Sequence, residues 1–396
     1  MEEKIPKIKY YLAVLNSEYV FDGNYQETTP VYNTDQLGND IISFIDLTSL
    51  TKDYMDIIDI DRKKVEGYIN SLKIDNVPIG EYCEHKKTTK CKYTKVCWDF
   101  IPNTNSILNF IDNHHGFKDE NGNKYDRFDL INDGITHILD MPVNYLNREK
   151  NIIQREVVRT GKPYIKLAKI KDGMSCINYP IYHLDFETFP CPLPRYKGEK
   201  CYTQSVFQFS LHIERKPGIC DKENDHYEFL AKDHNDNREE LIKKMTELID
   251  VNSGGTVLVY NESFEKTRLK ELGEIFPEYK SKLNKIRNMI FDLMYIIKSN
   301  TALYKELGYD ESEAKMFNYY HKDMSGSFSI KKILPLFSKL TYKDMDIGNG
   351  IEALVAYASF PKLSEAEYKY KYQKLIEYCK QDTWAMVEIM QGLRQL

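Results

Sequence analysis

Acidic side chains occur at strand spacing in the middle of the chain and at helix spacing near its end. Asp185 and Glu187 are two positions apart, so on a strand they point to the same face. Tyr378 and Asp382 are four positions apart, so on a helix they also share a face. A fold that packs this helix against this strand brings both acidic clusters to one point. This requirement constrains the fold more than any other feature of the sequence.

A third acidic motif lies between these two. Residues 257–260 are typical of a short β-strand, and the polar stretch from Asn261 to Glu265 is typical of the start of a helix. Carboxylate oxygens are the ligands that hard divalent ions such as Mg²⁺ or Mn²⁺ prefer. Two such ions about 3.5–4 Å apart stabilise both the attacking and the leaving oxygen of a phosphodiester displacement. The three motifs together indicate nuclease chemistry.

These motifs resemble the signature of DEDD-type 3'-5' exonucleases of the ribonuclease-H-like superfamily, in the subtype with Tyr in the third motif. The resemblance implies that Asp185, Glu187 and Asp382 bind two Mg²⁺ or Mn²⁺ ions directly. It implies that Tyr378 orients the attacking water or helps to remove its proton. Glu265 stands where this family has Asp, so its longer side chain is expected to act through a water.

The C-terminal half is also similar to a bacterial family of unknown function in which these motifs occur with a fourth one at residues 326–335. Lys331 and Lys332 in this motif are candidates for a local basic groove that binds substrate, with a solvated helix face as the alternative. Ser327 precedes them as a candidate substrate contact. Asn261 is expected either to contact substrate or to shape the turn before Glu265.

We therefore expect a metal-dependent 3'-5' exonuclease that hydrolyses the terminal phosphodiester of a nucleic-acid strand. Two other functions stay open: a nucleic-acid-binding module whose catalytic site has decayed, and a scaffold domain for a protein partner. Each motif alone also has a simpler interpretation as a solvent-facing strand end or a helix surface pair. Asp292 follows another apolar run, and we expect it to end a strand or cap a helix rather than to bind a metal.

Three of the eight cysteines, Cys83, Cys91 and Cys97, are close together in a segment rich in Lys and Thr. Such a group is typical of a soft-metal or iron–sulfur site, which needs a fourth ligand. The segment resembles the C-terminal cysteine cluster of RecB-like nucleases that carry a four-iron cluster, such as those associated with CRISPR systems. In those proteins the fourth Cys and the catalytic residues lie upstream, so RecB-like activity is expected to be absent here. His85 could complete a zinc site, another cysteine could approach in space, or the site could be vestigial.

The 396 residues exceed the usual size of one domain. We expect residues 1–110 to form a smaller α+β region that contains the cysteines and is a remnant of a RecB-like nuclease. Residues 111–178 are expected to form a helical connector. By the resemblance, residues 179–396 form a ribonuclease-H-like α/β domain with a mixed central sheet and flanking helices. Strands are expected at residues 8–15 and 18–21, a helix at 61–72, and a last long helix that Ser364 opens with a capping box.

Charge and hydropathy exclude some classes of protein. The net charge of −5 argues against a uniformly basic protein that coats nucleic acid, but a local basic groove would still allow a nuclease. No apolar run approaches the roughly 18–20 residues that span a bilayer, and no signal core is present. We therefore expect a cytoplasmic location, nucleic acid as the partner and no membrane partner.

Overall fold

The computed structural model describes residues 8–71, 78–84 and 91–396, which divide into two compact units. One unit consists of Met1–Val77 and Phe189–Ser205, and the other of Pro78–Thr188 and Val206–Leu396. The predicted division of the chain near residues 110 and 178 stays a prediction.

In its described part, the first unit combines short strands with one long helix. These elements are β1 (Tyr11–Leu15), β2 (Tyr25–Gln26), β3 (Thr29–Pro30), β4 (Ile42–Asp46) and α1 (Thr48–Asn70). β1 pairs with β4 and β2 with β3, both antiparallel. The strand predicted at residues 18–21 is wrong, because there only Val20 pairs, in an isolated bridge with Lys200. The helix predicted at residues 61–72 exists but begins earlier, at Thr48.

The second unit opens with short helices and hairpins around a small core. Its elements up to residue 175 are α2 (Thr94–Cys97), β5 (Phe117–Lys118), β6 (Lys124–Tyr125), α3 (Arg127–Asn132), α4 (Glu149–Thr160), β7 (Tyr164–Ile165) and α5 (Leu167–Ser175). Buried Ile107, Phe110 and Phe128 belong to this core, and Cys83 and Trp98 pack against it. The core therefore spans the predicted boundary at residue 110.

A five-stranded mixed sheet forms the centre of the second unit. Its strands are β8 (Ile181–Pro190), β9 (Gln204–Glu214), β10 (His226–Leu230), β11 (Thr256–Val259) and β12 (Ile290–Asp292). The spatial order is β10-β9-β8-β11-β12, with β10 antiparallel to β9 and with β11 parallel to both β8 and β12. This mixed sheet, together with the helices of the unit, confirms the predicted α/β class.

The remaining elements of the second unit are mainly helical. They are α6 (Arg238–Leu248), α7 (Glu262–Ile275), α8 (Lys280–Asn288), α9 (Met294–Lys298), α10 (Thr301–Glu306), α11 (Glu311–Lys315), β13 (Tyr319–Tyr320), α12 (Ile330–Phe337), α13 (Gly350–Ser359) and α14 (Glu365–Arg394). β13 pairs with β7, which joins the short elements to the sheet-containing part. Within the described ranges, no helix combines the length and the apolar character that crossing a membrane requires. The cytoplasmic location stays a prediction.

The long helix α14 begins as predicted. Ser364 forms the expected capping box with Glu367, whose Oε2 accepts the Ser364 backbone N–H at 2.9 Å. The second half of the helix is buried, and Gln208 Nε2 of β9 donates to the Leu375 carbonyl at 3.0 Å. This packing holds the acidic end of the helix against the sheet.

Asp292 ends β12 and caps α7, as predicted. Its Oδ1 accepts the backbone N–H groups of Asn261 at 3.1 Å and Met294 at 2.9 Å, and its Oδ2 accepts that of Glu262 at 3.1 Å. The N-terminal N–H groups of a helix have no partner within the helix, and a carboxylate satisfies them well. Asp292 therefore fixes the start of the helix that carries Glu265.

We expect Asp292→Ala to lower the free energy of unfolding by roughly 2–5 kcal/mol, because it leaves three part-buried backbone N–H groups without their charged acceptor. The matched control is Asp310→Ala, which removes an exposed cap of α11 and should cost about 0.5–2 kcal/mol. Urea unfolding followed by circular dichroism measures both. Equal losses in the two variants would contradict the structural role of Asp292.

Candidate functional site

Strand β8 and helix α14 bring Asp185, Glu187 and Asp382 together. One ligand oxygen from each lies within 4.8 Å of the other two, as the spacing of the motifs predicts. Glu187 and Asp382 are 8% and 9% exposed, whereas Asp185 is half-buried. Asp185 also accepts a long hydrogen bond from the Cys379 thiol of α14, at 3.9 Å. Three carboxylates from elements far apart in sequence thus meet in one recess.

Burial and mutual repulsion raise the pKa values of all three carboxyl groups. The pKa of Asp185 lies well above its usual value because of burial and then because of the charges of Asp382, Glu187 and Glu265. Burial, followed by the charge of Asp382, raises the pKa of Glu187 to about 8. Burial raises the pKa of Asp382 to about 6. A recess with this much unfavourable negative charge favours a bound cation.

Tyr342, which no sequence motif indicates, holds Asp382 in place. Its hydroxyl donates to Asp382 Oδ1 at 2.7 Å, and its ring meets that of Tyr378 edge-on with 6.5 Å between centroids. Hydrogen bonds from Tyr342 and Tyr378 offset part of the rise in the pKa of Asp382. Tyr342 lies between α12 and α13, outside regular structure, so no helix or strand spacing points to it.

Of the two predicted lysines, Lys331 lies at the acidic recess and Lys332 does not. The Lys331 ammonium lies 5.3 Å from the ring centroid of Tyr342 and 5.9 Å from that of Tyr378, and it donates to the Gly348 carbonyl. Its charge lowers the pKa values of Glu187 and Asp382. Lys332 is exposed, one position further along α12.

A cavity of about 190 Å³ opens onto the three carboxylates. Tyr378 and Lys331 line it, and so do three residues without a charge: Tyr260, Ile330 and Met386. Tyr378 is 4% exposed, and burial followed by the nearby carboxylates raises the pKa of its phenol far above the usual value. Its hydroxyl therefore stays protonated at neutral pH and can donate a hydrogen bond into the cavity.

Glu265 on α7 is buried but stays apart from the three convergent carboxylates. It is 2% exposed, and its Oε2 has no hydrogen-bond partner among the described residues. Burial, followed by the charge of Asp292, raises its pKa to about 8. Its charge contributes to the raised pKa of Asp185, so the two groups are near enough to interact. The indirect role through a water that was predicted for Glu265 stays a prediction.

Asn261 and Ser327, the other predicted substrate contacts, line a groove beside the cavity. The groove has a volume of about 870 Å³, and Tyr260 and Ile330 line both the groove and the cavity. Asn261 has a φ of +85°, in the left-handed region where Asn is tolerated better than most residues. The predicted role of Asn261 in shaping the turn before α7 agrees with this backbone conformation.

The cysteine segment is described only in part. Cys83 and Cys91 are half-buried, and the Cys91 backbone N–H donates to the Cys83 carbonyl at 2.8 Å. Cys97 is exposed, and the predicted fourth ligand, His85, lies outside the described residues. Within the described ranges, the three thiols are not gathered within 4.8 Å as the carboxylates are. A metal site at these cysteines stays a prediction.

The donor set at the three carboxylates fits Mg²⁺ or Mn²⁺. Asp185, Glu187 and Asp382 offer only oxygen, the donor that these hard ions prefer. Among the described residues that line the recess, Lys331 alone carries a positive charge, and a cation would relieve the repulsion that contributes to the three raised pKa values. The buried Oε2 of Glu265 has no described partner and is available to accept a hydrogen bond from a water.

Comparison with known proteins finds a family without an assigned function. Residues 182–329 match the model of a domain of unknown function, DUF2779, which includes Asp185, Glu187 and Glu265 but ends before Asp382. This match confirms the predicted similarity to a family of unknown function over residues 182–329. The exonuclease and RecB-like resemblances stay predictions. No solved structure matches the chain.

Two curated relatives are similar over longer stretches. The uncharacterized protein UU173 of Ureaplasma parvum is 24% identical over 325 residues, which cover 75% of this chain and 45% of that protein. The uncharacterized protein MG366 of Mycoplasma genitalium is 26% identical over 244 residues, which cover 58% of this chain and 34% of that protein. The chain thus spans less than half the length of the curated relatives that it matches.

We expect Mn²⁺ to raise the melting temperature more at pH 8 than at pH 6. A raised carboxyl pKa favours the folded state at acidic pH, and this contribution is lost as the pH rises through about 6 for Asp382 and about 8 for Glu187. Metal ions bind the deprotonated ligands, so the same rise in pH strengthens binding. Differential scanning fluorimetry at the two pH values, with Asp185→Asn as the control that removes a ligand, measures this. Equal shifts at both pH values, or in both proteins, would contradict the metal site.

For the cysteine segment we expect zinc rather than a four-iron cluster in protein purified without oxygen. Cys83, Cys91 and Cys97 supply three thiolates, and a Cys₃His set with His85 is a common tetrahedral zinc site. Elemental analysis of wild type and of Cys97→Ser measures the metal content, which should fall in the variant. Stoichiometric iron and sulfide with visible absorbance would overturn this expectation.

Proposed function

We propose that the protein is a metal-dependent 3'-5' exonuclease with a ribonuclease-H-like domain, acting on a terminal phosphodiester of nucleic acid. The observation that carries the proposal is the meeting of Asp185, Glu187 and Asp382 within 4.8 Å, in a cavity that Tyr378 also lines. These are the residues of the exonuclease motifs, and they come from a strand and a helix far apart in sequence. The five-stranded mixed sheet suits the proposed domain.

Asp185, Glu187 and Asp382 would hold two Mg²⁺ or Mn²⁺ ions. When bound, such ions lower the pKa of water and stabilise the charge that develops on a phosphodiester. The protein keeps the carboxylates in position through Tyr342, which donates to Asp382. Lys331 adds one positive charge to the cavity and is available to offset the charge of a phosphate oxygen.

Tyr378 is proposed to orient the attacking water rather than to take its proton. Because burial and the nearby carboxylates raise the pKa of its phenol, the hydroxyl remains a hydrogen-bond donor at neutral pH. The protonated phenol favours the orienting role for Tyr378 among the two that the family resemblance allows.

A nucleic-acid-binding module without catalysis is the second candidate function. Its support is Glu265, which stands at the second motif but does not join the three convergent carboxylates. Binding of an oligonucleotide without metal-dependent cleavage would favour this function over the exonuclease.

We expect purified protein to shorten a 5'-labelled oligonucleotide from its 3' end in the presence of Mn²⁺ or Mg²⁺. Asp185→Asn should lower the rate by about 10³-fold or more, since it removes a ligand at the centre of the site. Tyr378→Phe should lower kcat by roughly 10- to 100-fold, the size seen for groups that orient metal-bound ligands, and should leave Mn²⁺ binding intact. Gel analysis of the products over time measures these rates.

The matched control for Tyr378→Phe is Tyr372→Phe on the same helix. The Tyr372 hydroxyl donates to the Leu230 carbonyl at 3.2 Å, and the residue does not line the cavity, so cleavage should be unchanged. Cleavage that proceeds equally in wild type and Asp185→Asn would refute the exonuclease proposal.

A further inference from the structure

The groove beside the cavity has two walls from distant parts of the second unit. Residues 108–113 form one wall, and the loop at residues 325–330 forms the other. Tyr260 and Asn261, which follow β11, also line the groove. The groove volume of about 870 Å³ falls in the range of ligand-binding clefts, roughly 300–1,000 Å³. The first wall lies outside the residues that match the family model.

A buried polar network braces the two walls against each other. Gln154 Nε2 donates to the Asn109 carbonyl at 3.1 Å and to the Tyr320 hydroxyl at 2.9 Å, and its Oε1 accepts the Ile111 N–H at 2.8 Å. The Tyr320 hydroxyl in turn accepts the Gly326 N–H at 2.9 Å. Gln154 and Tyr320 are fully buried, so this network is shielded from water. The groove is therefore preformed, which reduces the entropy lost on binding a ligand.

The walls also touch through their backbones at Gly326. A Cβ at this position would lie 2.0 Å from the Asn109 carbonyl oxygen, and the φ of Gly326 is +76°. Only glycine meets both requirements without strain. The loop that carries Ser327 is thus fixed directly to the first wall.

Two lysines give the groove its charge. Lys150 at the start of α4 and Lys298 at the end of α9 both line it. In the described part of the chain, neither Lys150 nor Lys298 forms an ion pair with a carboxylate, so both ammonium groups are available to a ligand. The described lining also contains one carboxylate, that of Asp112. Hydroxyl and amide side chains add polar groups: Ser325, Ser327, Ser329, Asn109, Asn113 and Asn261. Such a lining suits a ligand with repeated negative charges and hydroxyl or amide partners.

The groove leads to the carboxylate cavity, because Tyr260 and Ile330 line both. The Tyr260 hydroxyl donates to the Phe328 carbonyl, which ties this junction to the second wall. Glu187 and Asp382 are more than nine-tenths buried at the bottom of a cavity of about 190 Å³. A base-paired end is too wide for such a recess, so the 3' nucleotide has to be unpaired to reach the carboxylates.

We propose that this groove binds the sugar–phosphate backbone of a single-stranded nucleic acid and directs its 3' end into the carboxylate cavity. Lys150 and Lys298 contact the phosphates, and the serine and asparagine side chains contact the sugar or the bases. The substrate is thereby limited to single strands. This inference rests on the proposed exonuclease function, but binding in the groove is measurable without cleavage.

The test is the binding of a 5'-fluorescein-labelled single strand to the full chain, measured by fluorescence anisotropy in EDTA over a range of salt concentrations. DNA and RNA strands of one sequence are compared, because the backbone contacts are common to both. The Lys150→Ala/Lys298→Ala double variant should bind at least 10-fold more weakly at low salt. Its slope of log affinity against log salt should fall by about 1.4, since each phosphate contact on a single strand contributes roughly 0.7. Cleavage by this variant should show a raised KM with a smaller change in kcat.

The matched control is Lys162→Ala, which removes an exposed lysine just after α4 that does not line the groove. It should bind like wild type with the same salt slope. Equal affinity and slope in the double variant and wild type, for both DNA and RNA, would overturn the groove assignment. Binding of a blunt duplex as tightly as a single strand would overturn the limit to single strands.

Hydrolysis of the p-nitrophenyl ester of thymidine 5'-phosphate by wild type separates this inference from the proposed function. This small ester needs only the cavity, so its metal-dependent hydrolysis tests catalysis without the groove. If wild type hydrolyses the ester but the double variant binds the strand as tightly as wild type does, the groove inference fails and the catalytic proposal stands. Strand binding that depends on both lysines, without hydrolysis of the ester or the strand, supports the groove and refutes the exonuclease.

Discussion

The repulsion among Asp185, Glu187 and Asp382 is the constraint on which the rest of the site depends. Three carboxylates within 4.8 Å in a recess cannot all ionise without compensation, as their raised pKa values indicate. The fold supplies part of that compensation through the Tyr342 hydroxyl and the Lys331 ammonium. The remainder is what a divalent cation would provide. A recess that served only stability would be expected to hold apolar residues instead, because well-packed apolar groups avoid this unfavourable charge.

The sequence predicted the parts of the site that regular structure carries. Strand spacing placed Asp185 and Glu187 on one face and helix spacing aligned Tyr378 with Asp382, and their meeting in space is confirmed. The capping box at Ser364 and the capping role of Asp292 were predictable for the same reason, since a local hydrogen-bond pattern has a local sequence signature. The mixed α/β class followed from the same strands and helices.

The sequence did not predict what depends on irregular structure or on packing between distant segments. Tyr342 lies in a loop, where no period relates one residue to the next. Lys331 and Lys332 are neighbours in sequence, and only packing of α12 against α14 decides that Lys331 faces the carboxylates while Lys332 is exposed. The strand expected at residues 18–21 failed because a short apolar run fits several structures equally well.

The residues that match the family model contain only part of the groove and of the carboxylate site. Residues 182–329 contain Asp185, Glu187 and most of one groove wall, but Asp382, Tyr378 and the wall at residues 108–113 lie outside them. Gln154 joins the two walls by hydrogen bonds, so the first wall is part of the same packed unit. A segment limited to the family match would lack one of the three carboxylates and half of the groove. Whatever ligand this site binds, its recognition is therefore a property of the whole second unit, and relatives that differ in the segment before the match are expected to differ in what they bind.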